Sequence, residues 1–320
     1  MNKKVREIDT LKALSIIGVI FMHMEFRSQF SDLAMSIINN LQISLGWCVL
    51  AFFFCSGFLL KPEQIKLKNL NDYIFKRAHR LLIPCISFSI LYKIALILLS
   101  GLNIFSWKTN IPSSFFEIFN LIFYPVGPQF YFLVFLFWVS TLVFFFNSIT
   151  KNVVVAYIGI LILFTLFYIQ VPSPLTLHGP GLELIPAYTV AFAWGFLFRF
   201  KQRQLNFYLG LTTLFVVAFL CFLKQTYVFI YILIPAALFI LFTRFKKLND
   251  IAELSRLGEK SSAIYVWHAP LLLPFWSIVA DRLVKIDLIE IIFILIMTIT
   301  SCYFISEVVE RFTIFKPLRF

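Results

Sequence analysis

The chain has 320 residues, of which 60% are hydrophobic and only 14% are charged. Soluble domains are about a quarter charged and under half apolar, so this composition excludes an ordinary soluble protein. The net charge of +12 does not require nucleic acid as a partner, because membrane proteins carry an excess of Lys and Arg on their cytoplasmic loops. The five cysteines are scattered singly without metal-ligand spacing, so no metal site is predicted.

Apolar stretches recur along almost the whole chain. A transmembrane helix needs about 20 mostly apolar residues, and a chain of this composition offers about ten such stretches. We predict spans at residues 8–26, 40–60, 81–100, 129–147, 153–170, 184–199, 205–223, 226–243, 262–280 and 288–307. The shorter apolar stretch at 114–124 is typical of a re-entrant or interfacial segment, because Pro125, Gly127 and Pro128 follow it.

The positions of the basic residues predict the orientation. If the N-terminus is inside, most of the 28 Lys and Arg residues fall on inner loops, notably at 61–80 and 244–261. The positive-inside rule favours this arrangement. The predicted fold class is therefore all-α, a polytopic transmembrane helical bundle with both termini in the cytoplasm. No loop is long enough to fold separately, so residues 1–320 are predicted to form a single transmembrane domain.

The first span carries ionisable side chains, which are costly in a membrane and are therefore candidates for function. Lys12 and His23 are separated by about three helical turns, so they lie on one stripe of the helix. Asp9 precedes Lys12 by one turn and can pair with it. Histidine suits a general base for hydroxyl acylation because its ordinary pKa lies near neutrality. The same positions also fit a snorkelling lysine and an interfacial histidine.

Two further segments carry polar side chains beside or within predicted spans. The segment FKRAHRLLIP places Arg77 and Arg80 three residues apart, so both guanidinium groups can bind one anion on the cytoplasmic side. Ordinary positive-inside charge explains them equally well. The ninth span contains Tyr265 and His268, and a histidine in mid-span either lines a polar cavity or makes a satisfied contact in the core.

Taken together, these segments resemble the acyltransferase-3 family of membrane acyltransferases. That family opens with a pattern like LDxLRGLA and a core of Arg-x10-His, and this chain has IDTLKALS followed by Lys12-x10-His23. The main departure is Lys12 in place of the family Arg, which keeps the charge and loses the planar bidentate fork. Four later segments match family patterns in the same order, namely FFFCSGFLL (52–60), RAHRLLIP (77–84), GPQFYFL (127–133) and SSAIYVWHAP (261–270).

The resemblance implies transfer of an acyl group, usually acetyl, from cytosolic acyl-CoA to a hydroxyl of a cell-surface glycan or a lipid-linked sugar precursor. It implies catalytic roles for His23, Lys12 and Asp9, and binding of the CoA donor by Arg77 and Arg80. Ser56, Tyr131, Tyr265 and His268 fall in the matching segments and are expected to contact the substrate. The implied location is the plasma membrane of a bacterium, with the lipid bilayer, acyl-CoA and the acceptor as partners and no metal.

A second class of function fits the same composition. A transporter or flippase for a polysaccharide unit or a small polar solute is also a polytopic bundle, and transporters often have paired spans interrupted by Gly or Pro. The break from Pro125 to Pro128 has no evident mate elsewhere in the chain, which favours the acyltransferase. A purely structural membrane subunit is a third alternative, and in that case changing His23 or Arg77 has little effect.

Overall fold

The computed structural model describes residues 5–24, 30–100, 130–150, 185–199, 230–284 and 286–311, together with 152, 155–160 and 162. Every regular element in these ranges is helical, which confirms the all-α fold class. The α-helices are α1 (Arg6–Met22), α2 (Asp32–Ser44), α3 (Trp47–Leu59), α4 (Leu70–Ser100), α5 (Tyr131–Thr150), α6 (Ile185–Arg199), α7 (Leu233–Arg244), α8 (Ala252–Glu259), α9 (Ser261–Trp267), α10 (Leu273–Leu283) and α11 (Asp287–Arg311). Residues 155–160 form a further helical stretch, and His268–Leu272 form a π-helical turn.

Four helical segments in the described ranges are long and apolar enough to cross a membrane. They are Asp32–Leu59, Leu67–Ala95, Tyr131–Thr150 and Leu288–Val309. They coincide with the spans predicted at 40–60, 81–100, 129–147 and 288–307. The span predicted at 205–223, most of that at 153–170 and the segment 114–124 lie outside the described residues. The total of about ten spans and the cytoplasmic termini stay predictions.

Helix α4 begins earlier than the third predicted span. The residues from 70 to 80 were expected in a polar loop, but α4 starts at Leu70 and carries Arg77 and Arg80 on its first turns. This segment contains neither Gly nor Pro, and Lys and Arg are good helix formers, so a helix can continue through charged residues. Pro84 lies inside α4 and has no N–H for the carbonyl of Arg80.

The second predicted span is two consecutive helices rather than one. Helix α2 ends at Ser44 and α3 begins at Trp47. Helix α2 leaves large apolar side chains exposed, with exposed fractions of 73% for Leu33 and 67% for Ile43. Apolar exposure on this scale is expected of a helix that contacts lipid. By contrast, nine of the 13 residues of α3 are buried.

The contacts of the chain group into two compact units. The first comprises Met1–Gly18, Gln42–Phe75 and Trp138–Glu259, and the second comprises Val19–Leu41, Lys76–Phe137 and Lys260–Phe320. The divisions fall inside α1, α2, α4 and α5 and between α8 and α9, so neither unit is a continuous piece of chain. The single domain over 1–320 stays a prediction.

The first unit is organised by close packing of α3 against α6. Gly57 of α3 lies against the backbone of Phe192, and Gly195 of α6 lies against the backbone of Phe54. Small residues let two helix backbones approach closely, and this is a common means of association in membranes. The rings of Phe53 and Tyr188 stack beside this contact, with centroids 4.4 Å apart.

The second unit contains the packed pair α10 and α11. The indole N–H of Trp276 donates a hydrogen bond to the hydroxyl of Ser301 across this pair at 3.0 Å. At the start of α9, Nζ of Lys260 lies 3.2 Å from a carboxylate oxygen of Glu307 on α11. These polar contacts fix α9 and α10 against the same long helix.

Substitution of Gly195 by Ala tests the close packing of α3 and α6. A Cβ at this position collides with the carbonyl of Phe54, and overpacking of this kind costs about 1–3 kcal/mol. We therefore expect Gly195→Ala to lower the apparent melting temperature of the detergent-solubilised protein. The matched control is Gly159→Ala, because a Cβ at this helical position meets open space. Equal melting temperatures for the two variants would contradict the packing.

Candidate active site

The start of α1 presents an ion pair in the first unit, between buried Asp9 and half-buried Lys12. Nζ of Lys12 lies 3.6 Å from a carboxylate oxygen of Asp9, and the Asp9 residue is 8% exposed. Gly258 of α8 packs against the backbone carbonyl of Asp9, where any larger residue would collide. The pair predicted from the sequence spacing therefore exists, and it is enclosed on one side by α8.

The helix that was predicted at 262–280 is broken in its middle. Pro270 has no N–H to give to the carbonyl of Val266, which is its partner in a regular α-helix. The residue before a proline prefers an extended backbone, and Ala269 adopts φ −131° and ψ 153°. The single predicted span is therefore corrected to α9, a π-helical turn and α10.

The break is held by a tyrosine from α4. The hydroxyl of Tyr92 donates a hydrogen bond to the carbonyl of Val266, the carbonyl that Pro270 cannot serve. Tyr92 is completely buried, and Phe88, one turn earlier, packs edge-on against Trp267 with centroids 4.7 Å apart. The sequence prediction missed Tyr92. The available signal in the sequence is a tyrosine within an apolar span. A buried tyrosine hydroxyl usually has a hydrogen-bond partner, so such a residue is a candidate for a polar contact.

The break brings two histidines together in the second unit. His268 is completely buried, and its ring centroid lies 5.3 Å from that of His23. Nδ1 of His268 lies 2.6 Å from the carbonyl oxygen of Tyr265, and Nε2 lies 3.4 Å from Nδ1 of His23. Two predicted site residues from opposite ends of the chain are thus neighbours.

His23 lies directly after the last residue of α1 and is half-buried. Its Nδ1 is 2.9 Å from the carbonyl oxygen of Val19. A carbonyl only accepts hydrogen bonds, so Nδ1 of the neutral ring carries the proton and Nε2 carries the lone pair. In the part of the chain that the structure describes, Nε2 of His23 has no hydrogen-bond partner. This nitrogen is therefore able to accept a proton.

Tyr265 belongs to the interior of the second unit. It is 3% exposed, and its ring contacts those of Phe132 and His268, with centroids 4.9 and 5.6 Å away. Tyr131 is the first residue of α5 and is half-buried, with its ring edge-on to Phe135. Tyr265 and His268 are both enclosed by protein, and the substrate contacts expected of Tyr131, Tyr265 and His268 stay predictions.

The remaining predicted site residues lie apart from the histidine pair in sequence. Arg77 is half-buried and Arg80 is exposed on α4, one helical turn apart in the second unit. At this spacing the two guanidinium groups share one side of the helix. Ser56 is half-buried on α3 in the first unit.

The described residues contain no group of three or more His, Cys, Asp or Glu side chains that could hold a metal ion. Four cysteines in these ranges are buried free thiols, namely Cys48, Cys55, Cys85 and Cys302. Cys221 lies outside the described residues.

Comparison with known proteins gives one match. A family model described as an acyltransferase domain matches residues 5–307, which is nearly the whole chain. No curated protein and no solved structure matches the chain.

Removal of the Tyr92 hydroxyl tests how the break is held. Tyr92→Phe leaves the buried carbonyl of Val266 without this donor, which costs about 1–3 kcal/mol. We expect a lower apparent melting temperature in detergent. The matched control is Tyr73→Phe, also on α4, because the contact of its hydroxyl with the carbonyl of Ser140 is 3.5 Å long and therefore weaker than that of Tyr92 with Val266. The account is wrong if the control loses as much stability as Tyr92→Phe.

Proposed function

Because the chain belongs to the acyltransferase-3 family of membrane acyltransferases, we propose that it transfers an acetyl group from cytosolic acetyl-CoA to a hydroxyl. The acceptor in this proposal is a sugar of a cell-surface glycan or of a lipid-linked precursor. The observation that carries the proposal is Nε2 of His23, which has no hydrogen-bond partner among the described residues of a helical protein with apolar spans. The setting is the plasma membrane of a bacterium.

The proposed reaction begins with proton transfer to His23. Nε2 of His23 accepts the proton of the acceptor hydroxyl as its oxygen attacks the thioester carbonyl. The carbon–oxygen bond forms and the carbon–sulfur bond breaks. The sulfur of CoA leaves as a thiolate and takes the proton from His23, so CoA thiol and the acetyl ester are the products.

A two-step route uses the same nitrogen. Nε2 of His23 attacks the thioester carbonyl, the carbon–sulfur bond breaks, and CoA leaves as a thiolate. The acceptor hydroxyl then displaces the acyl group from the ring, and its proton passes to the CoA thiolate. Both routes need a neutral imidazole with its lone pair on Nε2. The position of the proton on Nδ1, set by the carbonyl of Val19, supports either route.

The donor is held by the basic side chains of α4 in this proposal. Arg77 and Arg80 lie one turn apart, and two guanidinium groups on one side of a helix suit the phosphates of CoA. The exposure of Arg80 gives a soluble donor access to it. The family resemblance also implies a role for Lys12, paired with Asp9, in orienting the donor or stabilising charge.

A transporter is the second candidate, and the broken helix at 268–270 is the observation that favours it. Discontinuous membrane helices with polar side chains at the break are typical of transporter binding sites. The two functions differ in stoichiometry. An acyltransferase consumes one acyl-CoA for each ester formed, whereas a transporter moves solute without acyl-CoA.

Substitution of His23 tests the proposed base. We expect membranes that contain the chain to transfer label from radiolabelled acetyl-CoA to an alkali-labile ester of surface glycan. His23→Ala should lower this rate by about 100-fold or more, because a positioned base contributes factors of this size. The matched control is His79→Ala, an exposed histidine on α4 that should keep the normal rate. A His23→Ala variant that inserts into the membrane and acylates at the normal rate would contradict the assignment of His23 as the base.

Substitution of the arginines on α4 tests donor binding separately from chemistry. Arg77→Gln and Arg80→Gln should each raise KM for acetyl-CoA about tenfold, because a hydrogen bond to a charged group contributes about 1.5–3 kcal/mol. The kcat should change little, since neither side chain contacts the reacting atoms in this proposal. Lys68→Gln, which removes an exposed charge just before α4, is the control. A loss of kcat at unchanged KM would argue against phosphate binding.

A further inference from the structure

We propose that His268 is a positioning residue, which holds the ring of His23 so that Nε2 of His23 is the nitrogen that accepts the proton. The inference deepens the proposed function, and it rests on that function only for the role of His23 as base. The position of the proton on His23 is a property of the folded protein and can be measured without any assay of transfer.

The protonation of His268 follows from its buried surroundings. Its Nδ1 lies 2.6 Å from the carbonyl oxygen of Tyr265, and a carbonyl cannot donate, so Nδ1 carries the proton. In the neutral ring Nε2 then carries a lone pair. This nitrogen faces Nδ1 of His23 at 3.4 Å and can only accept a hydrogen bond from it.

Nδ1 of His23 therefore faces two acceptors. One is the carbonyl of Val19 at 2.9 Å, and the other is Nε2 of His268 at 3.4 Å. A single N–H shared between two acceptors is common at helix ends. If the proton moved to Nε2 of His23, the lone pair on Nδ1 would face the lone pairs of the Val19 carbonyl and of Nε2 of His268. Both acceptors therefore disfavour that tautomer.

The two acceptors differ in whether they hold the His23 ring relative to the rest of the second unit. Val19 belongs to the same helical turn as His23 and moves with it. His268 comes from the distant π-helical turn, which is fixed by Pro270 and by the hydroxyl of Tyr92. Among the described residues, only His268 therefore ties the orientation of the His23 ring to the rest of the second unit.

The same contact supports the charged form of His23. When Nε2 of His23 takes a proton, the N–H at Nδ1 becomes a stronger donor to Nε2 of His268. The proton stays on His23, because His268 is completely buried whereas His23 is half-buried, and a charge is more costly in the more buried ring. His268 supports the charged form of His23 although it is itself neutral. A carboxylate in its place would leave a buried negative charge whenever His23 is neutral, and such a charge is costly inside a protein.

Nitrogen NMR of the full chain in nanodiscs measures the tautomer directly. The chain has four histidines, so selective ¹⁵N labelling gives a spectrum that single His→Gln variants can assign. We expect His23 and His268 each to carry the proton on Nδ1 in the neutral form. In His268→Asn the carbonyl of Val19 is the remaining acceptor near Nδ1 among the described residues, so the fraction of His23 with its proton on Nε2 should rise measurably. A proton on Nε2 of His23 in the wild-type protein overturns the proposal.

Two substitutions of His268 separate positioning from folding. The amide of Asn can still donate to the carbonyl of Tyr265 but is too short to contact His23, whereas the longer Gln can place an oxygen near the position of Nε2. We expect His268→Asn to lower kcat about tenfold or more at unchanged KM for acetyl-CoA, and His268→Gln to recover most of the loss.

Equal kcat values for Asn, Gln and wild type overturn the proposal, as does a single unchanged His23 tautomer in folded His268→Asn. The failure of the proposed function has a different signature. Absence of transfer by the wild-type chain, together with the expected NMR spectra, rejects the acyltransferase reaction and keeps the positioning role. Should His268→Asn fail to fold, the wild-type spectrum alone decides between the two tautomers.

Discussion

The missing N–H of Pro270 is the constraint on which the candidate site depends. A continuous helix over 261–283 would pair the carbonyl of Val266 internally, but here that carbonyl accepts from Tyr92 on α4, which joins the break to a second helix. His268 lies at the break and bonds back to the carbonyl of Tyr265. The position of His268, and hence its contact with His23, follows from where the helix stops.

Such a break is consistent with a membrane protein because its polar groups are enclosed by protein. Irregular backbone is tolerated at membrane depth only where neighbouring groups satisfy it. Tyr92 and His268 are both completely buried, and each pairs with a backbone carbonyl. His23 is only half-buried, so it is the more accessible member of the pair. In the proposed reaction His268 supports and His23 reacts.

The sequence predicted the helical class and several spans well, because a long apolar run such as that of α5 is typical of a membrane-spanning helix. It misplaced the start of α4, since charge was taken as a sign of a loop although Lys and Arg are good helix formers. It identified His23 and His268 separately. Their contact could not be foreseen, because it depends on packing between segments far apart in the chain. Pro270 is the signal in the sequence. It indicates a break in the helix but not which side chains contact the break.

The most direct test of this account is a double-mutant cycle of thermal stability between Tyr92→Phe and Pro270→Ala, measured on the detergent-solubilised protein. Alanine at position 270 restores an N–H that can pair with the carbonyl of Val266. The account predicts that Tyr92→Phe is clearly destabilising in the wild-type background and nearly neutral when Pro270 is replaced, since neighbours that share a partner are not additive. Equal losses in both backgrounds would show that Tyr92 does not compensate for the proline, and would contradict the account.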